Sequence, residues 1–378
     1  MTNDPSKSVA DDPPERAQPE RPLRIAMIVP PWYELPPPGY GGLEQVCSAL
    51  VDALVAKGHQ VTLFGAGSGT GTAAHFVATV GELQHPRLGE TLPELAHLSR
   101  VNRMITPESF DIVHDHTTAG PYVADRAVPT VSTVHGKPTG ELREVLADVD
   151  PKVGLVAISH TQRRLAPELP WVATVHNGMS TRNLVTKSAP GMGPVLWLAR
   201  FDADKGPDLA IEACRAADLP LVLAGKCDER SERRYLEQVV EPMLGPDVTV
   251  LRNPDRDATV RLMLAARCLI MPIRWEEPFG MVMVEAMASG TPVVALNRGA
   301  VPELVRHGET GLICDDPAEL GPALREVSRL DPAVCAAHVR REFSAERMAD
   351  DYERVYRSVL APGPENPVRP ASAPTGAW

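Results

Sequence analysis

The sequence predicts an α/β protein built from two doubly wound, Rossmann-like halves. Three observations carry this. Short apolar runs alternate with helix-period segments along most of the chain. A chain of 378 residues is long for one core and comfortable for two. The alternation lapses once, from Ser180 to Gly193, into Ser, Thr, Asn, Gly and Pro, where an interdomain linker belongs.

The first half opens on the apolar run Leu23–Val29, a strand. A Pro/Gly loop from Pro30 to Gly42 leads into a helix over Leu43–Lys57, ended by Gly58. Val61–Phe64, Ile112–His114, Thr130–His135, Leu155–Ile158 and Val172–Val175 supply further strands. From Ala66 to Thr106 no clean period appears, and no element is assigned. In the second half, strands Val195–Leu198, Leu221–Ala224, Val248–Leu251, Leu269–Met271 and Val293–Ala295 alternate with helices Pro207–Ala217, Glu232–Met243 and Ala258–Ala266. Another helix runs from Met281 to Gly290, where Pro292 forbids continuation. The last helix, Ala345 to Val359, has an apolar stripe at Met348, Tyr352, Val355, Tyr356 and Val359. The ends, 1–21 and 361–378, are polar or Pro-rich and are expected to be disordered. That leaves units at 22–182 and 183–344 and a helix at 345–360.

Composition narrows the function. A net charge of −11 argues against a general nucleic-acid binder. The six cysteines are scattered with no C-x-x-C pair, so neither a zinc site nor a disulfide framework is expected. No run approaches the roughly eighteen apolar residues of a membrane span. The amino terminus lacks the apolar core of a signal peptide. A cytoplasmic location is expected.

The most informative stretch is Glu276-Glu277-Pro278-Phe279-Gly280-Met281-Val282-Met283-Val284-Glu285. Pro278 and Gly280 mark a turn before a helix. A helix start offers unpaired backbone N–H groups and partial positive charge, which suits a phosphate. Glu285, one turn further in, is placed to accept hydrogen bonds from a vicinal diol. Glu277 stands ahead of the helix. Such a layout suits a nucleotide sugar. Two strand-to-helix loops add to it: Gly41-Gly42, where backbone approaches a ligand closely, and Arg200 with Lys205, a fork and a point charge suited to a diphosphate.

Glu277-Pro278-Phe279-Gly280 through Glu285-Ala286-Met287, then Gly290-Thr291-Pro292-Val293-Val294-Ala295, resembles the E-x7-E motif of family 4 retaining glycosyltransferases. The resemblance implies the GT-B fold, two Rossmann-like domains facing across a cleft, with a final helix crossing back to the first. It implies that 183–344 binds a UDP- or GDP-linked sugar and 22–182 a hydroxyl acceptor. Glu285 would hold the ribose and Glu277 the transferred hexosyl group. Phe279, Gly280, Met281 and Val282 would meet the donor, and Arg200 and Lys205 the diphosphate. His135 and the Gly41-Gly42 loop would close from the first domain. It implies retention of anomeric configuration, for which a front-face route without cofactor or metal is expected. Asn177-Gly178 resembles the family's structural turn before the linker.

Other signals are weaker. Asp148/Asp150, Asp202/Asp204 and Asp255/Asp257 match the D-x-D pattern of another glycosyltransferase fold, but three matches in one acidic chain show how cheap it is. In His114-Asp115-His116 the two histidines are expected to face opposite sides of the strand, which makes joint metal ligation awkward. Gly65 to Gly71 lacks the spacing of a dinucleotide fingerprint, which disfavours a nicotinamide dehydrogenase. A GT-B phosphorylase or sugar-nucleotide epimerase shares the expected fold and is the alternative. A catalytically dead nucleotide-binding partner is disfavoured, because Glu277, Glu285, Arg200, Lys205 and His135 are all intact.

Overall fold

The computed structural model describes residues 21–37, 41–69, 71–123, 127–182 and 184–361. The expected tails, apart from Arg21 and Ala361, lie outside the described residues, as do 38–40 of the glycine loop. Two parallel sheets form two lobes. The amino-terminal sheet has seven strands, β1 (Arg24–Ile28), β2 (Gln60–Ala66), β3 (His75–Val80), β4 (Ile112–Asp115), β5 (Thr130–Val134), β6 (Val153–Ala157) and β7 (Trp171–Thr174), in the order β3-β2-β1-β4-β5-β6-β7. The carboxy-terminal sheet has six, β8 (Val195–Leu198), β9 (Leu221–Gly225), β10 (Val248–Arg252), β11 (Leu269–Met271), β12 (Val293–Leu296) and β13 (Gly311–Cys314), in the order β10-β9-β8-β11-β12-β13. In each lobe the first strand lies third from one edge and the order reverses beside it. That reversal opens a crevice at the carboxyl ends of the strands, where ligands bind.

The central strands are buried on both faces and so read as continuous apolar runs. Two edge strands, β3 and β13, went unassigned in the sequence. So did helices Thr91–Asn102 and Pro332–Glu342. The expected helix over Glu232–Met243 is broken into an α segment (Arg230–Tyr235), a π turn (Leu236–Val240) and a 3-10 turn (Glu241–Met243). Pro242 explains the break, since it has no N–H to continue the ladder and its ring crowds the preceding turn.

The chain crosses between lobes twice. Near the crossings Met179 N–H donates to Phe343 O (2.9 Å) and Ala345 N–H to Met179 O (2.8 Å). Gly178 is needed here, because a Cβ would lie 2.5 Å from Ser344 O. After the second crossing, the helix Ala345–Leu360 packs on the amino-terminal lobe. Ser344 caps its start. Met348, Tyr352, Val355 and Tyr356 join Leu50, Val51 and Leu54 of helix Gly42–Ala56 in one core. Lys57 ion-pairs with Asp350 and Glu353 at the edge of that contact. No helix among the described residues is long and apolar enough to cross a membrane.

Candidate functional site

A cleft of about 1,090 Å³ separates the lobes. Gly41, Gly42 and His135 line it from one side. Arg200, Lys205, Glu277, Phe279, Gly280, Met281, Val282 and Glu285 line it from the other. Every residue singled out from the sequence as a site candidate is therefore brought to one cavity.

The carboxy-terminal wall is assembled by two laced loops. After β8 the chain makes a turn at Ala203–Lys205, capped by the Asp202 side chain. Gly206 ends it at φ +64°, against Pro272, whose carbonyl a Cβ would approach to 2.2 Å. After β11, Arg274 N–H donates to Asp204 O (2.8 Å), and its guanidinium binds Ala203 O (2.8 Å) and Asp208 (2.8 and 2.6 Å). This lacing sets Lys205 beside Glu277. Lys205 Nζ and Trp275 Nε1 (3.0 Å) both donate to Glu277 Oε2, and Lys205 Nζ stands 4.7 Å from the Trp275 ring centroid. The Glu277 backbone is pinned in turn: Ala300 N–H donates to Glu277 O (2.9 Å) and Gly299 N–H to Glu276 Oε2 (2.7 Å). Gly299 adopts φ +56°, and a Cβ there would come within 2.3 Å of Glu277 N and O.

The motif helix is Met281–Ala288, preceded by Gly280 at φ +94°. Its first-turn amides face the cleft with the orphan donors of a helix start. Phe279 offers the cleft backbone rather than side chain. Its ring is buried against His176 and Phe343. Glu285 reaches the cleft one turn in, and burial pushes its carboxyl up to about 7, with Arg256 pulling the other way.

Across the cleft, His135 follows the end of β5. Burial holds it down to about 4, so at neutral pH it is an uncharged hydrogen-bonding group. Its Nε2 pairs with His116 Nδ1 (2.9 Å). The expectation for His114 and His116 is corrected here. Residues two apart share a strand face, and the two rings lie 4.0 Å apart. His114 spends both nitrogens within the lobe, on Tyr356 Oη (2.7 Å) and Thr133 Oγ1 (2.8 Å). The D-x-D acids serve local structure: Asp150 accepts from Lys152 N–H, Asp202 from Asp204 N–H and Asp255 from Ala258 N–H.

Sequence reasoning missed several cleft residues. Lys226 and Asn253 line the cleft just after β9 and β10, positions that strand-end placement alone flags. Asn253 sits at φ +50° and ties Cys227 N–H to Asp228. Glu303 of the carboxy-terminal lobe accepts from His160 N–H (2.8 Å), Thr161 N–H (2.6 Å) and His176 Nε2 (2.9 Å) of the other lobe. Nothing in the local sequence announces that interlobe contact.

Residues 190–332 match the family model described as glycosyl transferases group 1, and residues 40–206 match the one described as glycosyltransferase family 4. The chain belongs to glycosyltransferase family 4. It is an enzyme, a glycosyltransferase of GT-B fold. Among its relatives, a phosphatidyl-myo-inositol mannosyltransferase of Mycobacterium leprae is 28% identical over 378 residues, covering 90% of this chain and 98% of the relative. A glycogen synthase of Mycobacterium tuberculosis is 28% identical over 389 residues, covering 88% and 91%. Among solved structures, sucrose-phosphate synthase from Thermosynechococcus elongatus has the same fold, with a TM-score of 0.71 at 22% identity, covering 89% of this chain and 99% of that one. Anabaena Alr3699/HepE, solved in complex with UDP and glucose, matches with a TM-score of 0.66 at 18% identity, covering 89% and 100%.

Proposed function

We propose that this family 4 enzyme moves a hexosyl-type sugar from a UDP- or GDP-linked donor to a hydroxyl acceptor, with retention and without a metal. The observation that carries this is the shared seat of Lys205, Glu277 and the motif-helix start at one side of the interlobe cleft. Glu285 receives the ribose diol. Arg200 and Lys205 receive the diphosphate, and their two positive charges supply the stabilisation that a divalent ion gives elsewhere. Glu277, fixed through one oxygen, offers the other to hydroxyls of the transferred sugar and sets the anomeric carbon against the acceptor.

The front-face route fits this set of groups. The C1–O bond to the β-phosphate breaks with its electron pair leaving on the nucleoside diphosphate. The acceptor oxygen bonds C1 on the same face, and its proton passes to the departing phosphate oxygen. The protein then needs no side-chain base, only orientation and a dry cleft. His135, uncharged beside the sugar, orients hydroxyls. Release of nucleoside diphosphate, screened across uridine, guanosine and adenosine sugars with and without chelator, tests the proposal. Glu277→Ala and Lys205→Ala are each expected to lower turnover by orders of magnitude in a folded protein. Near-normal turnover in both, or full dependence on added metal, refutes it.

A further inference from the structure

A second cavity, about 310 Å³, lies within the amino-terminal lobe. It shares Gly41, Gly42, Leu43, His135 and Gly136 with the donor cleft, so whatever fills it meets the transferred sugar at His135. Trp32, Tyr33, Leu88 and Leu142 form an apolar wall. Glu44, Thr117, Ser132, His116 and His135 supply the polar groups. The size suits one hydroxylated ring, and the mixture of flat apolar side chains and polar groups suits its two kinds of surface.

The charge of this cavity is one-sided. None of the described residues lining it is Lys or Arg, and burial keeps both histidines uncharged. Two helix starts border it, and helix starts ordinarily attract anions. Here internal carboxylates already occupy them. Glu44, 4% exposed, has its carboxyl pushed up to about 7 by burial, against the pull of a hydrogen bond from its own backbone. Glu94 Oε1 accepts from Thr118 N–H (2.5 Å) and Ala119 N–H (3.0 Å). Asp115 Oδ1 accepts from Thr117 N–H (2.9 Å), and Thr117 Oγ1 accepts from Gly120 N–H (2.9 Å). A phosphate or carboxylate on the acceptor would meet the Glu44 carboxyl, no Lys or Arg among the described lining residues, and amides already spent on internal acids.

We infer that the acceptor is an uncharged polyhydroxylated ring, and that Glu44 and His135 orient its reacting hydroxyl. This rests on the donor assignment above and adds the chemistry of the acceptor. The test is transfer, from the donor found in the screen, to hexoses, cyclitols and their alkyl glycosides, each paired with its phosphate ester. The uncharged member of each pair is expected to have a roughly tenfold higher kcat/KM, since an anion taken out of water with no counter-charge is strongly disfavoured. Leu88→Lys places a cation at the exposed rim, where Leu88 is 44% accessible, and is expected to move that ratio about tenfold toward the ester. Free rings and glycosides distinguish a ring that arrives alone from one that ends a glycan, and transfer to either supports the inference. Preference for the ester overturns it. So does a protein that binds nucleoside diphosphate yet glycosylates none of the uncharged rings. A protein that binds no nucleoside diphosphate overturns the donor assignment with it.

Discussion

Replacing Trp275 by Phe isolates one hydrogen bond in the carboxy-terminal wall of the cleft. The indole N–H donates to Glu277 Oε2 at 3.0 Å, while Lys205 holds the same oxygen. Phe keeps a ring under the Lys205 ammonium, which lies 4.7 Å from the indole centroid, and removes only the N–H. A hydrogen bond to a charged group contributes about 1.5–3 kcal/mol. Because Lys205 remains, the lower end applies, and about 1.5 kcal/mol is roughly a tenfold loss in kcat/KM. In the proposed reaction Glu277 holds the transferred sugar, so the loss is expected in kcat, with affinity for nucleoside diphosphate unchanged. Initial rates at varied donor, alongside nucleotide binding by calorimetry, separate the two. In a Glu277→Gln background the same Trp275→Phe change is expected to cost less than about twofold, since the partner charge is already gone. A full tenfold loss in that background refutes the reasoning. So does a Trp275→Phe enzyme whose only defect is weaker nucleotide binding.

Burial raises the Glu285 carboxyl from its ordinary 4.5 to about 7. Keeping it ionised thus destabilises the free protein progressively as pH rises from about 4.5 through about 7, by at most about 3 kcal/mol and less because the group reaches the cleft. Glu285→Gln is therefore expected to raise the Tm at pH 8 but not at pH 4, while donor binding, measured by calorimetry, is lost. Glu303 is held down to about 2 by its His176 and amide donors, so its stabilisation is full above pH 4.5 and fades as pH falls through 2. Glu303→Ala, which strands two interlobe amides, is expected to cost about 1–3 kcal/mol in denaturant titrations at pH 7. Tyr356→Phe removes the 2.7 Å hydrogen bond to His114 and is expected to cost about 1 kcal/mol of stability, with turnover at saturating substrate unchanged.

Much of the fold was legible because interior strands of a parallel sheet are apolar on both faces, and β1, β5, β6 and β12 show it directly. The edge strands were not. β3 buries only Thr79 of its six residues, and β13 is four residues opening on glycine. The E-x7-E stretch and the strand-end loops located the carboxy-terminal wall of the cleft, since loop-to-helix geometry is local. The partnership of Lys205 with Glu277 was not legible, because it depends on Arg274 lacing two loops together. The interlobe role of Glu303 depends on where a distant helix start arrives. The error over His114 and His116 was one of period, since positions two apart on a strand point the same way. The route of the last helix could not be chosen from its apolar stripe, which specifies a buried face but not the surface that buries it.

That final segment has a consequence for biosynthesis. The sheet translated first needs Met348, Tyr352 and Tyr356 to finish its interior, and these leave the ribosome only after the whole carboxy-terminal sheet. The earlier half must therefore wait, with the apolar flank of helix Gly42–Ala56 uncovered, until the second lobe and the helix after it have been made. Nascent chains that stall or are cut before residue 345 are expected to be the aggregation-prone and chaperone-bound ones, even though every strand of the leading lobe is already present.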